Sequence, residues 1–211
     1  MILSKVMNTN DQAGAELLLL GHNKQIPAVI EKNILKALSF YPELKNTAIS
    51  FIFKALIKTS VMQAQPVFAT LLGKRKNRRY RINISKQFRL IHSQMPIEQI
   101  PDDVMIGWIG HELGHILDYE GRSNTGMIRF GYRYYFHPSY VKQAEMVADS
   151  LAVERGMGSY IVATKRFILD HAELPQAYKD KIRRLYLSPD VIVEQVKKLE
   201  EKKQEQQQQQ N

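Results

Sequence analysis

The spacing of hydrophobic residues along the chain changes near residue 100, from mostly alternating to mostly helical. The segment after Pro27, "AVIEKNILKALSF", repeats its aliphatic residues at helical spacing and stops at Tyr41-Pro42. This pattern predicts one N-terminal helix. Residues 1–26 carry little signal beyond a short helix expected around Ala15–Leu20.

Alternating segments that are typical of strands follow this helix. "NTAISFIFKAL" and "RRYRINIS" alternate clearly, and "TSVMQAQPVFATLL" and "FRLIHS" are candidates for two further strands. Pro66 cannot donate a backbone hydrogen bond, so its strand is expected at a sheet edge or a bulge. We expect a small, mostly antiparallel sheet.

Helical spacing dominates after residue 101. One helix is predicted from about Asp102 to Gly121, and a second from about Tyr140 to Arg155, ending at Gly156. Between them, "RSNTGMIRFGYRYYFHPS" is interpreted as a connector. Three more helices are predicted, in "SYIVATKRFILDH", "PQAYKDKIRRLY" and "SPDVIVEQVKKLEEK".

These elements predict an α+β fold with a single domain over residues 27–200. The low-complexity end, residues 201–211, is rich in glutamine and is expected to be disordered. With 44% hydrophobic residues the chain can bury a core, and no run approaches the ~18 apolar residues of a membrane span. We therefore expect a soluble, cytoplasmic protein.

Charge and cysteine content narrow the candidate chemistry. The chain has no cysteine, so any metal must be bound by histidine and carboxylate side chains. Its net charge is +9, and the densest basic run is Lys74–Arg81. This run is interpreted as a solvated hairpin tip, with a nucleic-acid contact as the alternative, although no recognition motif accompanies it.

The candidate chemistry centres on "MIGWIGHELGHILDYEG", in which His111, Glu112 and His115 form an H-E-x-x-H motif. Histidines four residues apart on a helix lie one above the other and can reach a single cation. Glu112, the residue after His111, projects from an adjacent side of the helix. From there it could accept a proton from a metal-bound water without binding the metal itself. The alternative is that each imidazole forms a hydrogen bond within the core, but an apolar helix carrying this group of three favours metal binding.

A zinc site needs a third protein ligand. The metzincin spacing places that ligand at residue 121, which is glycine, so this class is excluded. Asp118 faces the same side of the helix and is expected near the ligands rather than on the metal. On the later helix, Glu145 and Asp149 share one face; they are either a solvated pair or, given their apolar neighbours, buried groups that need a cation.

H-E-x-x-H followed by Glu145 and Asp149 on a downstream helix resembles gluzincin-type zinc metallopeptidases, and in particular small soluble predicted peptidases of that class. The resemblance covers roughly residues 47–156. It implies a zincin-like fold, a bound Zn²⁺ held by His111, His115 and Glu145, Glu112 as general base and acid, and Asp149 as the carboxylate that orients a ligand histidine. The implied function is zinc-dependent hydrolysis of peptide bonds in a protein or peptide substrate.

Four further expectations concern the oxyanion donor, the small-residue stripes, the substrate strand and the alternative functions. The oxyanion donor is expected to be His137 or a tyrosine of the connector, namely Tyr132, Tyr134 or Tyr135. The Gly107, Gly110 and Gly114 stripe is expected to face Ala144, Ala148 and Ala152, and "YRINIS" to be the strand that pairs with substrate. Alternative functions are a non-catalytic zinc-binding sensor or adaptor, or a protease acting on DNA-associated proteins.

Overall fold

The computed structural model describes residues 19–208 except residues 56, 58, 59, 91 and 172. The expected helix at 15–20 therefore lies mainly outside the described residues. After Pro27, a 3-10 turn (Ala28–Ile30) leads into α1 (Glu31–Leu38), as the spacing predicts. The strands are β1 (Lys24–Gln25), β2 (Ala48–Lys54), β3 (Met62–Pro66), β4 (Arg79–Ser85), β5 (Gln87–Arg89) and β6 (Gln94–Pro96).

The main sheet has the order β1-β2-β4-β3, and the prediction that it is mostly antiparallel is wrong. β1 and β4 both run parallel to β2, and only β3 runs antiparallel to β4. β5 and β6 form a separate antiparallel pair. Alternation in a sequence defines the faces of a strand but not its direction relative to its neighbours, so this pairing could not be predicted.

The edge strands of the main sheet are β1 and β3, and the "YRINIS" strand is not one of them. That segment is β4, which lies between β2 and β3, so it cannot receive a peptide at a free edge. β3 ends at Pro66 and is an edge strand, as the proline predicts.

The helices after residue 101 pack around the first of them, α2 (Asp102–Gly121). α2 contacts α1, β3 and two later helices, and it is buried along most of its length, from Val104 to Ile116. The later helices are α3 (Asn124–Phe136), α4 (Pro138–Ala152), α5 (Gly158–Asp170), α6 (Gln176–Leu185) and α7 (Pro189–Gln208).

A π-helical turn, Val153–Met157, joins α4 to α5. Gly156 has a φ of +86° in this turn, a conformation that glycine adopts without steric cost. The predicted end of the helix at Gly156 therefore coincides with the point where the chain changes direction.

One expectation about an irregular segment is wrong, and the last helix is longer than predicted. The connector expected at 122–139 is largely helical: it forms α3, capped by Ser123, whose hydroxyl accepts a hydrogen bond from the Gly126 amide. α7 continues through Gln208, with residues 201–208 all exposed, while the expected disorder of the tail stays a prediction. Glutamine, glutamate and lysine are good helix formers, which accounts for the extension.

The architecture is thus α+β, with a small mixed sheet packed on one side of a set of helices. None of the described helices is both long enough and apolar enough to cross a bilayer.

Candidate metal centre

α2 places His111 and His115 one turn apart on the same side. Both residues are buried, with 6% of the surface of each exposed, and their rings lie 4.8 Å apart. The four-residue spacing of the motif on a continuous helix produces this arrangement. The two imidazoles therefore share one small region of the core.

Glu145 on α4 completes a group of three donors. Its Oε2 lies 3.0 Å from His111 Nε2 and 3.2 Å from His115 Nε2. Ligands held at zinc distances in a tetrahedron lie roughly 3.3–3.6 Å from one another. A small expansion of the group is therefore enough to admit a tetrahedrally coordinated ion, and these three residues could hold a metal.

Asp149, one turn after Glu145, is fully buried and binds the outer nitrogen of His111. Its Oδ1 lies 2.8 Å from His111 Nδ1, while Oδ2 lies 3.0 Å from Lys165 Nζ and accepts a hydrogen bond of 3.1 Å from the Leu187 amide. A carboxylate on Nδ1 fixes the imidazole orientation that leaves Nε2 free for a metal. Asp149 is placed for the orienting role that the resemblance implies.

Charge within the centre is balanced by these contacts. Burial opposes ionisation of Glu145, but the charge of His115 and hydrogen bonds from both imidazoles hold its pKa well below its usual range. Burial likewise opposes ionisation of Asp149, yet Lys165 and His111 lower its pKa. Burial would lower the pKa of His111, but Asp149 and Glu145 outweigh it and raise that pKa to about 10.

Glu112 lies beside the three donors without joining them. Its Oε2 accepts a hydrogen bond of 2.6 Å from the Ala64 amide of the edge strand β3. Burial raises the pKa of Glu112, and the positive charges of His115 and His111 only partly oppose this effect. A carboxylate with a raised pKa suits proton transfer near neutral pH.

A cleft of about 550 Å³ opens over Glu112, His115 and Glu145. One wall is β3 and the other is α3, which contributes aromatic side chains. The size is that of a small-molecule or peptide-side-chain site. The candidate centre is thus buried but accessible from one side.

Among the residues considered as oxyanion donors, Tyr134 reaches the centre. Its hydroxyl donates a hydrogen bond of 2.8 Å to Glu145 Oε1. Tyr132 and Tyr135 also line the cleft but are largely exposed, and the His137 ring packs against Tyr132. Geometry therefore favours Tyr134.

The sequence predicts that the three glycines of the α2 stripe all face α4. Only one of them does. An added Cβ at Gly114 would lie 2.6 Å from the carbonyl oxygen of Ala148, so this glycine does allow the two ligand helices to approach closely. At Gly110 the Cβ would collide with Met157, and at Gly107 with Thr164. Each glycine therefore admits a different neighbour: α4, the π-helical turn and α5.

Asp118 and part of the basic run, chiefly Arg78, form structural contacts. Asp118 accepts three hydrogen bonds of 2.8–3.0 Å from the Arg122 guanidinium and is not in the donor group. Arg78 is buried and donates to the Tyr119 and Arg122 carbonyls, which ties the end of α2 to the segment before β4. Its neighbours in the run, from Lys74 to Asn77, are exposed.

Lys165 is the residue at this centre that sequence reasoning missed. It lies on the buried face of α5 with Ile161, Thr164 and Ile168, and its ammonium also lies 4.0 Å from the centre of the Tyr186 ring. A lysine within an apolar helical stripe needs an anionic partner. That signal was present in "SYIVATKRFILD".

Comparisons of the chain with protein-family models, with curated proteins and with solved structures give no match.

Proposed function

We propose that the protein is a zinc-dependent metallopeptidase that hydrolyses peptide bonds. The observation that carries the proposal is the convergence of His111, His115 and Glu145 beside Glu112, where Glu112, His115 and Glu145 line an open cleft. A purely structural zinc site needs neither a neighbouring acid–base group nor access from solvent. The donor set of two imidazoles and one carboxylate suits zinc.

Bound zinc would supply a Lewis acid that polarises the scissile carbonyl and acidifies water. Glu112 would accept the proton of the attacking water and return it to the leaving amine, a transfer favoured by its raised pKa. Tyr134, released from Glu145, would donate to the developing oxyanion.

The edge strand offers a place for the substrate backbone. Ser85 donates to the Val61 carbonyl and Val67 donates to the Arg79 carbonyl, so these odd-numbered residues bond to β4. In an antiparallel pair the alternate residues, Met62 and Ala64, then direct their backbone groups away from β4. An extended peptide would add to β3 on that side through the Met62 backbone groups and the Ala64 carbonyl, since the Ala64 amide already donates to Glu112.

The decisive experiment compares the purified wild-type protein with Glu112→Gln in metal content and in cleavage of casein and a peptide library. We expect about one zinc per chain in both proteins and loss of cleavage in the variant alone. A wild-type protein that folds but binds no zinc contradicts the proposal. Equal cleavage by the two proteins contradicts the assigned role of Glu112.

A further inference from the structure

Exposed apolar side chains are concentrated around the mouth of the cleft. Of the ten large hydrophobic side chains that are exposed among the described residues, six lie on α3 or in the 3-10 turn Phe68–Leu72. Phe68 and Leu72 are 79% and 88% exposed. We call the following set the apolar rim: Phe68, Leu72, Ile128, Tyr132, Tyr135 and Phe136.

The α3 part of the rim is a continuous stripe. Ile128, Tyr132 and Tyr135 follow the i, i+4, i+7 spacing, so they lie on one face of the helix. The Phe136 ring packs against Tyr132 and Tyr135, at centroid distances of 4.7 and 4.9 Å. The buried face of the same helix holds Met127 and Phe130, so the rim is additional to the core.

Positive charge surrounds this apolar surface without any acidic residue from the same segments. The chain contains no aspartate or glutamate from Leu44 to Ile97, nor from Gly121 to Ala144. Lys74, Arg75 and Lys76, directly after the first rim segment, are exposed, and so is Arg129 on α3. Exposed apolar and aromatic groups beside clustered lysine and arginine are the combination that binds anionic bilayer surfaces.

We propose that the apolar rim and the basic segment Lys74–Lys76 dock the protein on an anionic lipid bilayer. The rim side chains insert at the level of the headgroups, and the basic side chains bind the lipid phosphates and carboxylates. This inference goes beyond the proposed peptidase activity and does not depend on it. Docking in this way turns the mouth of the cleft toward the bilayer surface.

The chemistry favours a bilayer over two other occupants. Single-stranded nucleic acid stacks on aromatic rings, but aliphatic groups such as Leu72 and Ile128 offer it no stacking surface. A symmetric second copy would place the same basic segment of each chain at one interface, and like charges there repel. An anionic bilayer accommodates both the apolar and the basic groups.

The test is co-sedimentation with vesicles of neutral phosphatidylcholine and with vesicles that also contain phosphatidylserine. We expect the wild-type protein to bind the anionic vesicles and not the neutral ones. Phe68→Ser with Leu72→Ser should weaken binding tenfold or more. Lys74→Gln, Arg75→Gln and Lys76→Gln together should weaken it roughly a hundredfold, about fivefold for each charge.

Matched controls remove the same groups elsewhere. Val29→Ser with Val193→Ser removes exposed apolar groups outside the rim, and Lys197→Gln, Lys202→Gln and Lys203→Gln remove three exposed charges of α7. Both controls and Glu112→Gln should bind vesicles like the wild-type protein. An unchanged melting temperature will show that each variant is folded.

Three outcomes would overturn the proposal. One is that the wild-type protein does not bind anionic vesicles, or that the control variants lose as much vesicle binding as the Phe68→Ser/Leu72→Ser and Lys74–Lys76 variants. Another is that the protein binds labelled DNA or RNA through Lys74–Lys76 while ignoring vesicles. The third is that sedimentation velocity finds a dimer that Phe68→Ser with Leu72→Ser dissociates.

Discussion

Replacing Gly114 with alanine is expected to move apart the two helices that carry the metal donors. The added Cβ would lie 2.6 Å from the Ala148 carbonyl oxygen and 3.2 Å from the Cα and carbonyl carbon of that residue. Backbone atoms cannot rotate away as a flexible side chain can. α4 must therefore shift, and Glu145 lies on α4 only three residues before Ala148.

The size of this shift follows from the contact distance. An ordinary Cβ contact begins at 3.4 Å, so relief of the 2.6 Å contact needs about 0.8 Å. Metal–ligand distances tolerate only about 0.2 Å. Overpacking costs about 1–3 kcal/mol, and the better helix propensity of alanine returns up to about 1 kcal/mol. We expect a net destabilisation of about 0–3 kcal/mol and a zinc affinity at least tenfold weaker.

Gly131→Ala on α3 is the matched control, because a Cβ there meets nothing within 4 Å. It gains the helix propensity without the collision and should be as stable as the wild type or more stable. Thermal unfolding of the metal-free proteins should separate the two variants by roughly 2–4 °C per kcal/mol. Competition with a chromophoric chelator measures zinc affinity. If Gly114→Ala matches Gly131→Ala in both measurements, the close approach of the helices does not position the metal donors.

Three further predictions concern the polar groups of the centre. Lys165→Met should destabilise the protein by about 3–5 kcal/mol in urea unfolding, because the Asp149 carboxylate loses the buried ammonium beside it. The double variant with Asp149→Asn should recover part of this loss. If it recovers nothing, Lys165 and Asp149 are not a stabilising pair. Tyr134→Phe should lower kcat for peptide cleavage about a hundredfold at unchanged zinc content, and an unchanged kcat would exclude it as oxyanion donor. In metal-free protein the raised pKa of His111 contributes stability that is complete below pH 6.5 and is lost as the pH rises toward about 10. The lowered pKa values of Glu145 and Asp149 contribute stability that is lost in acid. Zinc binds neutral imidazole and should abolish the alkaline loss, so urea unfolding between pH 6.5 and 9.5 should depend on pH with EDTA and hardly at all with zinc.

Local signals in the sequence predicted the helix that carries the H-E-x-x-H motif almost to the residue. Acidic residues at Asp102 and Asp103 and a glycine at position 121 mark its ends, and both features act within the helix itself. The role of Asp149 toward a ligand histidine was implied by the resemblance alone, but the burial argument brought together the two polar sets, the H-E-x-x-H residues and the Glu145–Asp149 pair, since buried polar groups require partners. Interactions of this kind can be inferred from composition and spacing.

Features that depend on tertiary packing could not be inferred in this way. α3 was missed because Gly126, Gly131 and its aromatic residues disfavour helix, although the Ser123 cap and the spacing of Met127 and Phe130 point toward one. The direction of β4 relative to β2 and the neighbours of Gly107 and Gly110 depend on how distant elements meet. The spacing of hydrophobic residues within one element carries no information on such contacts between elements.

The three contacts of Asp149 also set an order of assembly for the centre. Its carboxylate is held by His111, by Lys165 and by the Leu187 amide, which lie on α2, on α5 and after α6. Proteins fold from the N-terminus as they are synthesised. A nascent chain that ends before residue 187 therefore lacks one of these anchors, even though all its metal donors have already been made. All three contacts of Asp149 can therefore form only after Leu187 has been made and has left the ribosome.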